Sequence, residues 1–593
     1  MKEIIGQRLA KLRKLMRQRD LDAYLVPSAD PHMSEYLPER WKRRQFMSGF
    51  DGSAGTLLVT GKWAGLWTDS RYFLQAEEQL AGTGIELMRQ GEPGVPELEP
   101  WLRRHLPVGA RLGLDGQVLS LAAWMKLRAD CPGLKLVEVH PDLVERLWGR
   151  NLPGLPAAPV RTHPLKYAGE SIRHKLERLR RWLQEKEALV FFTGALDEIA
   201  WLLNLRGADI EHNQFFLAYL MVDARRATLY TRPERLRPDA RRQLRGLVEL
   251  RPYEDVEQGL RRSVRPGGRI VADALTTNHR IAAILERQGA QLVLERSPLA
   301  RWKAVKNQRE IEGMRQAQIR ESLCVTRLLY WLENESQRRS LYEADVVERM
   351  EQLRRQFRQY LGPSFSTIAA FGPNGAIVHY GVKGRGARLG KGLVLIDTGG
   401  QYLDGTSDLT RTVALGKPGA EERRAYTTVL RGLVAISRAV FRQGSDGYQL
   451  DILARAPLWS SFLHYGHGTG HGLGAALGVH EGPFILSLRK VLEPLEAGNV
   501  LSLEPGVYLP GRFGVRLENI ALVTAAGSSA FGDFLAFETL TLCPFDRRLI
   551  DSSRLEPLEK QQIDSYHQKV LKTLGPELEA RERTWLRDLC RPL

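Results

Sequence analysis

The stretch LVLIDTGGQYLDGTSDLTRTVAL, residues 393–415, limits the possible folds more than any other part of the chain. A fully apolar strand ends on Asp397, a glycine-rich connection follows, and an alternating strand then carries Asp408, Thr410 and Thr412 on one face. Antiparallel pairing of the two strands brings Asp397 and Asp408 together. Two carboxylates at the end of a buried strand repel each other and are desolvated unless a cation lies between them. Taken alone, the pair could equally be turn-capping acids, and Asp404, directly before Gly405, fits that role better than a metal.

Two further clusters lie downstream. HYGHGTGHGLGAALGVHEGP holds His464, His467, His471 and His480 among glycines. His467 and His471 have the spacing of a helical zinc pair, but the intervening GTG disfavours a helix and no Glu follows His467, so the HExxH arrangement is rejected. A glycine-lined strand or loop that lets backbone approach a ligand suits the stretch better. In NVLSLEPGVYLPGRFGVRLENIALV an apolar strand ends on Glu504, Pro505 and Gly506 turn the chain, and Glu518 follows in the next strand. Arg516 shares that strand face and is expected to orient Glu518; a surface ion pair is the alternative. Together Asp397, Asp408, His471, Glu504 and Glu518 form a hard, oxygen-rich donor set. It suits two divalent ions, with manganese the expected metal, and the chemistry implied is hydrolysis.

A chain of 593 residues exceeds a single core, so several domains are expected. It opens with a helical pattern (Leu9, Leu12, Leu15, Met16) leading into the strand AYLV, and the same opening recurs at Leu176, Leu179, Trp182 and Leu183 before ALVFF. This predicts a duplicated helix–strand domain. The proline-rich NLPGLPAAPVRTHPL ends the first copy. A long helix is predicted from Gln308 through Cys324, Leu328, Trp331 and Leu332. From about 360 to 545 the texture becomes short strand-like runs between Gly and Pro, and a charged helical tail closes the chain. The expected domains are therefore 1–155, 156–303, 304–545 and 546–593.

The N-terminal stretch is charged and amphipathic, without a secretory apolar region, and FFLAYLMV is too short to span a bilayer. Four cysteines lie far apart without a CxxC pair. A cytoplasmic protein with no membrane association is expected. The formal charge of +17 comes from stretches such as ERLRPDARRQLRGLVELR, where acidic and apolar residues are interspersed at helical spacing. That is the pattern of a solvated helix face, and no specific nucleic-acid binding is expected.

The clusters, in this order, resemble the pita-bread metallopeptidases, and most closely the long, three-domain aminopeptidase P group. AYLVPSADPHMSEYLPERWKRRQFMSGFDGSAGT and LWTDSRYFLQA match the first domain of that family, and LDEIAWLLNLRGADIEHNQFF matches the second. WKAVKNQREIEGMR matches the start of the third, which GPNGAIVHYG, GHGTGHGLG, VHEGP, EPGVY and RLENI continue. The resemblance implies two creatinase-like α/β domains followed by a pita-bread catalytic domain of mixed α/β and α+β class. It further implies hydrolysis of the N-terminal Xaa-Pro peptide bond and a homodimer.

Residue by residue, the resemblance implies that Asp408 and Glu518 bridge the two ions, Asp397 completes one shell, and His471 and Glu504 complete the other. Glu504 would also shuttle the proton. His379 and His480 would bind the scissile region, His467 would support them, and Arg71 in TDSRYFLQA would reach substrate. Prolidase shares the metal set, but the first-domain motifs disfavour it. A creatinase-like amidinohydrolase lacks the carboxylates, and methionine aminopeptidase lacks the two leading domains. A non-catalytic pita-bread scaffold that binds chromatin or RNA has no use for an intact ligand set.

Overall fold

The computed structural model describes residues 2–593, which divide into two compact units. One comprises the chain up to His163 together with Glu170–Leu299; the other comprises Pro164–Gly169 and Ala300–Leu593. No helix among the described residues is long and apolar enough to cross a membrane.

The first unit contains the predicted duplication. Helix α1 (Lys2–Gln18) buries Ile5, Leu9, Leu12 and Met16 at steps of three and four, and leads into β1 (Ala23–Pro27). The first sheet adds β2 (Thr56–Thr60), β3 (Ala64–Thr68), β4 (Glu86–Arg89), β5 (Arg111–Leu114) and β6 (Lys135–Glu138), in the order β4-β3-β2-β1-β5-β6. Helix α2 (Ile172–Glu185) opens the second copy, whose strands are β7 (Val190–Thr193), β8 (Tyr219–Asp223), β9 (Ala227–Tyr230), β10 (Glu249–Arg251), β11 (Arg269–Ala272) and β12 (Gln291–Leu294). Their order, β10-β9-β8-β7-β11-β12, repeats the first sheet. The sense of every pairing repeats as well: the first three strands of each copy form an antiparallel meander, and the others join in parallel. The arginine-rich stretch before β10 is a short helix, Pro238–Leu244, that exposes Arg241 and Arg242 and buries Ala240 and Leu244.

In the second unit, helix α3 (Gln308–Glu335) starts where predicted because Asn307 and Glu310 close a capping box. Helix α4 (Glu343–Arg354) packs against it. Strands β13 (Ile368–Phe371), β14 (Gly392–Thr398) and β15 (Leu409–Leu415) form one antiparallel sheet. A six-stranded sheet follows, built from β16 (Val440–Arg442), β17 (Gly470–Gly472), β18 (Glu481–Leu486), β19 (Val500–Leu503), β22 (Asn519–Ser529) and β23 (Gly532–Thr539), in the order β16-β23-β22-β19-β17-β18. The hairpin β20 (Gly506–Leu509) and β21 (Phe513–Arg516) stands apart from that sheet.

The strand-like texture expected from 360 to 545 is interrupted by two helices, α5 (Ala420–Ser437) and α6 (Gly447–Trp459). Both bury wide apolar faces, including Tyr426, Val429, Leu430, Leu433, Leu450 and Leu458. The closing helices, α7 (Pro557–Leu574) and α8 (Ala580–Leu589), pack within the second unit through Ile563, Val570, Leu574 and Leu586. All four cysteines are free and buried.

Candidate metal centre

Sheet register brings the carboxylates together. In the β14–β15 pair Asp397 stands opposite Thr410, so Asp408 lies just before β15 at the same end. In the β19–β22 pair Leu503 stands opposite Asn519, which leaves Glu504 and Glu518 as the next residues outward on the two strands. The Glu518 N–H donates to the Thr410 carbonyl at 3.1 Å and stitches the two sheets together at this point. His471 lies on β17, beside β19. Gly470 permits that approach, because a Cβ there would lie 1.9 Å from the Ser502 carbonyl oxygen.

Asp408, His471 and Glu518 offer ligand atoms that all lie within 4.8 Å of one another. His471 Nε2 is 3.5 Å from Asp408 Oδ2 and 3.4 Å from Glu504 Oε1. Asp397 Oδ1 and Glu518 Oε1 are buried without a hydrogen-bond partner, and such orphaned carboxylate oxygens fit a bound cation. Three other oxygens are held: Asp397 Oδ2 accepts from Arg516 Nη2 at 2.5 Å, Glu518 Oε2 from Thr410 Oγ1 at 2.8 Å, and Glu504 Oε1 from Ser502 Oγ at 3.0 Å.

The electrostatics of the pocket call for positive charge. Burial raises the Asp397 carboxyl above the usual range, Arg516 opposes the rise and Asp408 adds to it. Burial, then Asp408, Glu504 and Asp397, push Glu518 well up. Glu504 is pushed up to about 6 by burial, with His471 opposing and Asp408 adding. Burial disfavours a charged His471, yet Asp408 and Glu504 outweigh it and raise the imidazole to about 9.

The expected pairing of Arg516 with Glu518 is not formed. Arg516 ends β21 and Glu518 precedes β22, so the chain changes sheets between them and the two do not share a strand face. Arg516 instead holds Asp397 and donates from Nη1 to the Tyr508 hydroxyl at 2.8 Å. His467 Nε2 lies 2.8 Å from the same hydroxyl, so His467, Tyr508, Arg516 and Asp397 form one chain of contacts. Residue-by-residue reasoning missed Tyr508 and the Thr410–Glu518 bond, although both stand in quoted motifs, EPGVY and DLTRT.

The remaining candidates divide. The His480 ring meets the His471 ring edge-on, with centroids 4.3 Å apart. His379 is half-buried and directly follows Val378, whose carbonyl lies 3.4 Å from Arg516 Nη2. His464 accepts the Trp459 indole N–H at 3.1 Å and does not join the carboxylates. Asp404 carries a two-armed ion pair with Arg320 of α3 instead of capping its turn. Arg71 belongs to the first unit, where both arms of its guanidinium are held by Asp69 at 2.7 Å. Sequence reasoning also passed over Glu481, directly after His480, whose buried carboxylate is flanked by the Lys303 ammonium at 3.1 Å and by Lys306.

Residues 312–525 match the model of metallopeptidase family M24, and 533–593 match the C-terminal region of that peptidase family. Residues 8–147 and 151–310 each match a creatinase/prolidase N-terminal domain. The chain is 40% identical to a probable Xaa-Pro aminopeptidase P of Paracoccidioides brasiliensis over 99% of both chains. A protein of the same description from Laccaria bicolor is also 40% identical, over 99% of this chain and 93% of that one. Among solved structures, an X-prolyl aminopeptidase from Caenorhabditis elegans, described as a cytosolic enzyme with a di-nuclear active site, superposes with a TM-score of 0.95. It is 33% identical, over 99% of this chain and 100% of that one.

Proposed function

The chain belongs to metallopeptidase family M24, with two creatinase/prolidase N-terminal domains ahead of the catalytic one, and on that premise we propose that it is an Xaa-Pro aminopeptidase. It removes the first residue from peptides with proline in second place. The observation that carries this reading is the convergence of Asp408, His471 and Glu518, with Glu504 beside His471 and with the buried Asp397 Oδ1 and Glu518 Oε1 left without a hydrogen-bond partner.

These five residues would hold two divalent ions. Four carboxylates and one imidazole favour manganese. When bound, the ions polarise the scissile carbonyl and activate the attacking water. Glu504, beside the site of the attacking water, takes the proton of that water and returns it to the prolyl nitrogen as the C–N bond breaks. His379 and His480 face the scissile region and stabilise charge on its carbonyl oxygen, and the contact of His480 with His471 supports that role. His467 acts behind them, through Tyr508 and Arg516, on Asp397. For Arg71 the motif TDSRYFLQA alone supports a part in substrate binding.

Proline explains the need for a dedicated site. Its nitrogen has no hydrogen to donate, so strand-like docking of the peptide loses a bond. Its tertiary amide also populates the cis form. A cytoplasmic location is supported by the four free cysteines and by the cytosolic description of the worm relative. A homodimer is the expectation that the family resemblance carries, and light scattering would check it.

The deciding assay is cleavage of Arg-Pro-Pro and Arg-Ala-Ala by metal-stripped protein before and after manganese is added. Manganese-dependent release of arginine from the proline peptide alone is expected. No release from either peptide despite bound metal would sink the reading, and cleavage of Arg-Pro without Arg-Pro-Pro would move the chain to the dipeptidases.

A further inference from the structure

Arg411 follows Thr410 on β15 and is fully buried, yet among the described residues it makes no ion pair. Neutral acceptors occupy the whole guanidinium. Nη1 donates to the Thr410 carbonyl at 2.8 Å and to the Glu518 carbonyl at 2.6 Å. Nη2 shares its two hydrogens among Asn519 Oδ1, the Cys543 carbonyl and the Tyr566 hydroxyl at 2.8, 2.8 and 2.9 Å, and Nε donates to the Pro544 carbonyl at 3.2 Å. A buried guanidinium is tolerated only with its hydrogen bonds complete, so this one is fixed by its acceptors and in turn fixes them.

Those acceptors border the metal centre. Thr410 stands two residues after Asp408, and its hydroxyl holds Glu518 Oε2. The guanidinium therefore reaches Glu518 twice, at its backbone carbonyl and, through Thr410, at its carboxylate. On the other side, Nη2 is held by Tyr566 of α7, far away in sequence. Helix α7 is itself docked: His567 Nε2 accepts the Phe545 N–H at 3.1 Å, and Glu559 pairs with Arg431 of α5 at 3.0 Å. Tyr566 also borders a cavity of about 430 Å³ between α5 and α7, lined by Leu433, Ser437, Leu558 and Gln562 among others. There Tyr566 is held both by its ring, 4.9 Å from that of Phe545 between centroids, and by its hydroxyl, which donates to the Cys543 carbonyl at 2.8 Å and accepts the Cys543 N–H at 3.1 Å.

We propose that Tyr566, acting through Arg411, is a positioning residue for the metal-bridging carboxylate Glu518, which makes the C-terminal helix part of the metal scaffold. This rests on the two-ion reading of the site.

Tyr566→Phe keeps the ring and deletes the hydroxyl; Asn519→Ala removes the other side-chain acceptor of Nη2. In calorimetric titration of metal-stripped, full-length protein with Mn²⁺ alone, each variant is expected to bind about 10-fold more weakly than wild type, the low end of the effect of a direct ligand partner, because Tyr566 acts through Arg411. The KM for Arg-Pro-Pro should hold while kcat falls. Gln562→Ala, on the same helix and the same cavity but outside the bond network, is expected to keep wild-type Mn²⁺ affinity. Unchanged affinity in Tyr566→Phe and Asn519→Ala overturns the proposal. Equal weakening in Gln562→Ala also overturns it, because the loss would then reflect a loosened helix. A wild-type protein that takes up no Mn²⁺ defeats the two-ion reading itself, and this inference with it.

Discussion

Gly514→Ala tests how His379 is held. Gly514 lies in β21, two residues before Arg516, and Gly375 lies in the short helical turn Gly372–Ala376 that leads to His379. A Cβ on Gly514 would sit 1.7 Å from the Gly375 carbonyl oxygen and 2.4 Å from its carbon. An ordinary carbon–oxygen contact is roughly 3.3 Å, so the turn must retreat by about 1.6 Å. Both contacting groups are backbone, so no rotamer change relieves the overlap. Overpacking of this kind costs about 1–3 kcal/mol of stability. None of the five proposed ligands lies on either segment, so manganese stoichiometry should be kept. His379, by contrast, moves relative to Arg516, and a displacement of about 1 Å in a positioning group costs on the order of 100-fold in rate. The expected result for Arg-Pro-Pro cleavage is a kcat/KM lowered about 100-fold, equivalent to about 2.7 kcal/mol, with a lower melting temperature and unchanged metal content. Wild-type kcat/KM in a protein that melts normally would refute the argument that this contact sets His379.

Arg516→Lys replaces a two-armed fork with one ammonium that cannot reach Asp397 and Tyr508 together, so Mn²⁺ affinity should fall about 10- to 100-fold by calorimetric titration; unchanged affinity would remove Arg516 from the metal site's support. Glu481→Gln leaves the buried Lys303 and Lys306 ammoniums without their carboxylate and should cost about 3–5 kcal/mol in thermal or urea unfolding, an expectation that a wild-type unfolding curve would contradict. His567 is held down to about 4 by burial and by Arg411 and Arg547, below its ordinary 6.5. Above pH 6.5 it is neutral in both states; as pH falls from 6.5 to about 4 only the unfolded chain takes up the proton, so stability is lost across that window, by about 3 kcal/mol. In His567→Gln that loss should be missing from calorimetric scans between pH 7 and 4, and an identical pH profile in both proteins would disprove the assignment.

Much of the architecture was legible because it depends on local periodicity. Apolar residues at steps of three and four marked α1 and α3, and the repeated helix–strand opening marked a duplicated domain, whose common strand order only the structure shows. Helices α5 and α6 were missed because glycine, proline and short apolar runs on either side resemble strands, and only packing against the large sheet distinguishes them. The buried carboxylates were legible for a different reason. An acid at the end of an apolar strand could as well cap a turn, and only the three acid and histidine clusters taken together pointed to a cation. Arg516 marks where that logic ends: alternation along one strand paired it with Glu518, whereas the chain changes sheets between the two and turns the guanidinium to Asp397.

By itself, the sequence offered a candidate donor set and showed which glycines line the histidine stretch and where the long helices begin, since residue type and local pattern carry each of these. Only the tertiary structure decided who holds whom: Arg516 with Asp397, Lys303 and Lys306 with Glu481, and Tyr566 with Arg411. Those pairs are set by sheet register and helix docking between segments some 120 to 180 residues apart, and no local pattern encodes the distance between two such segments.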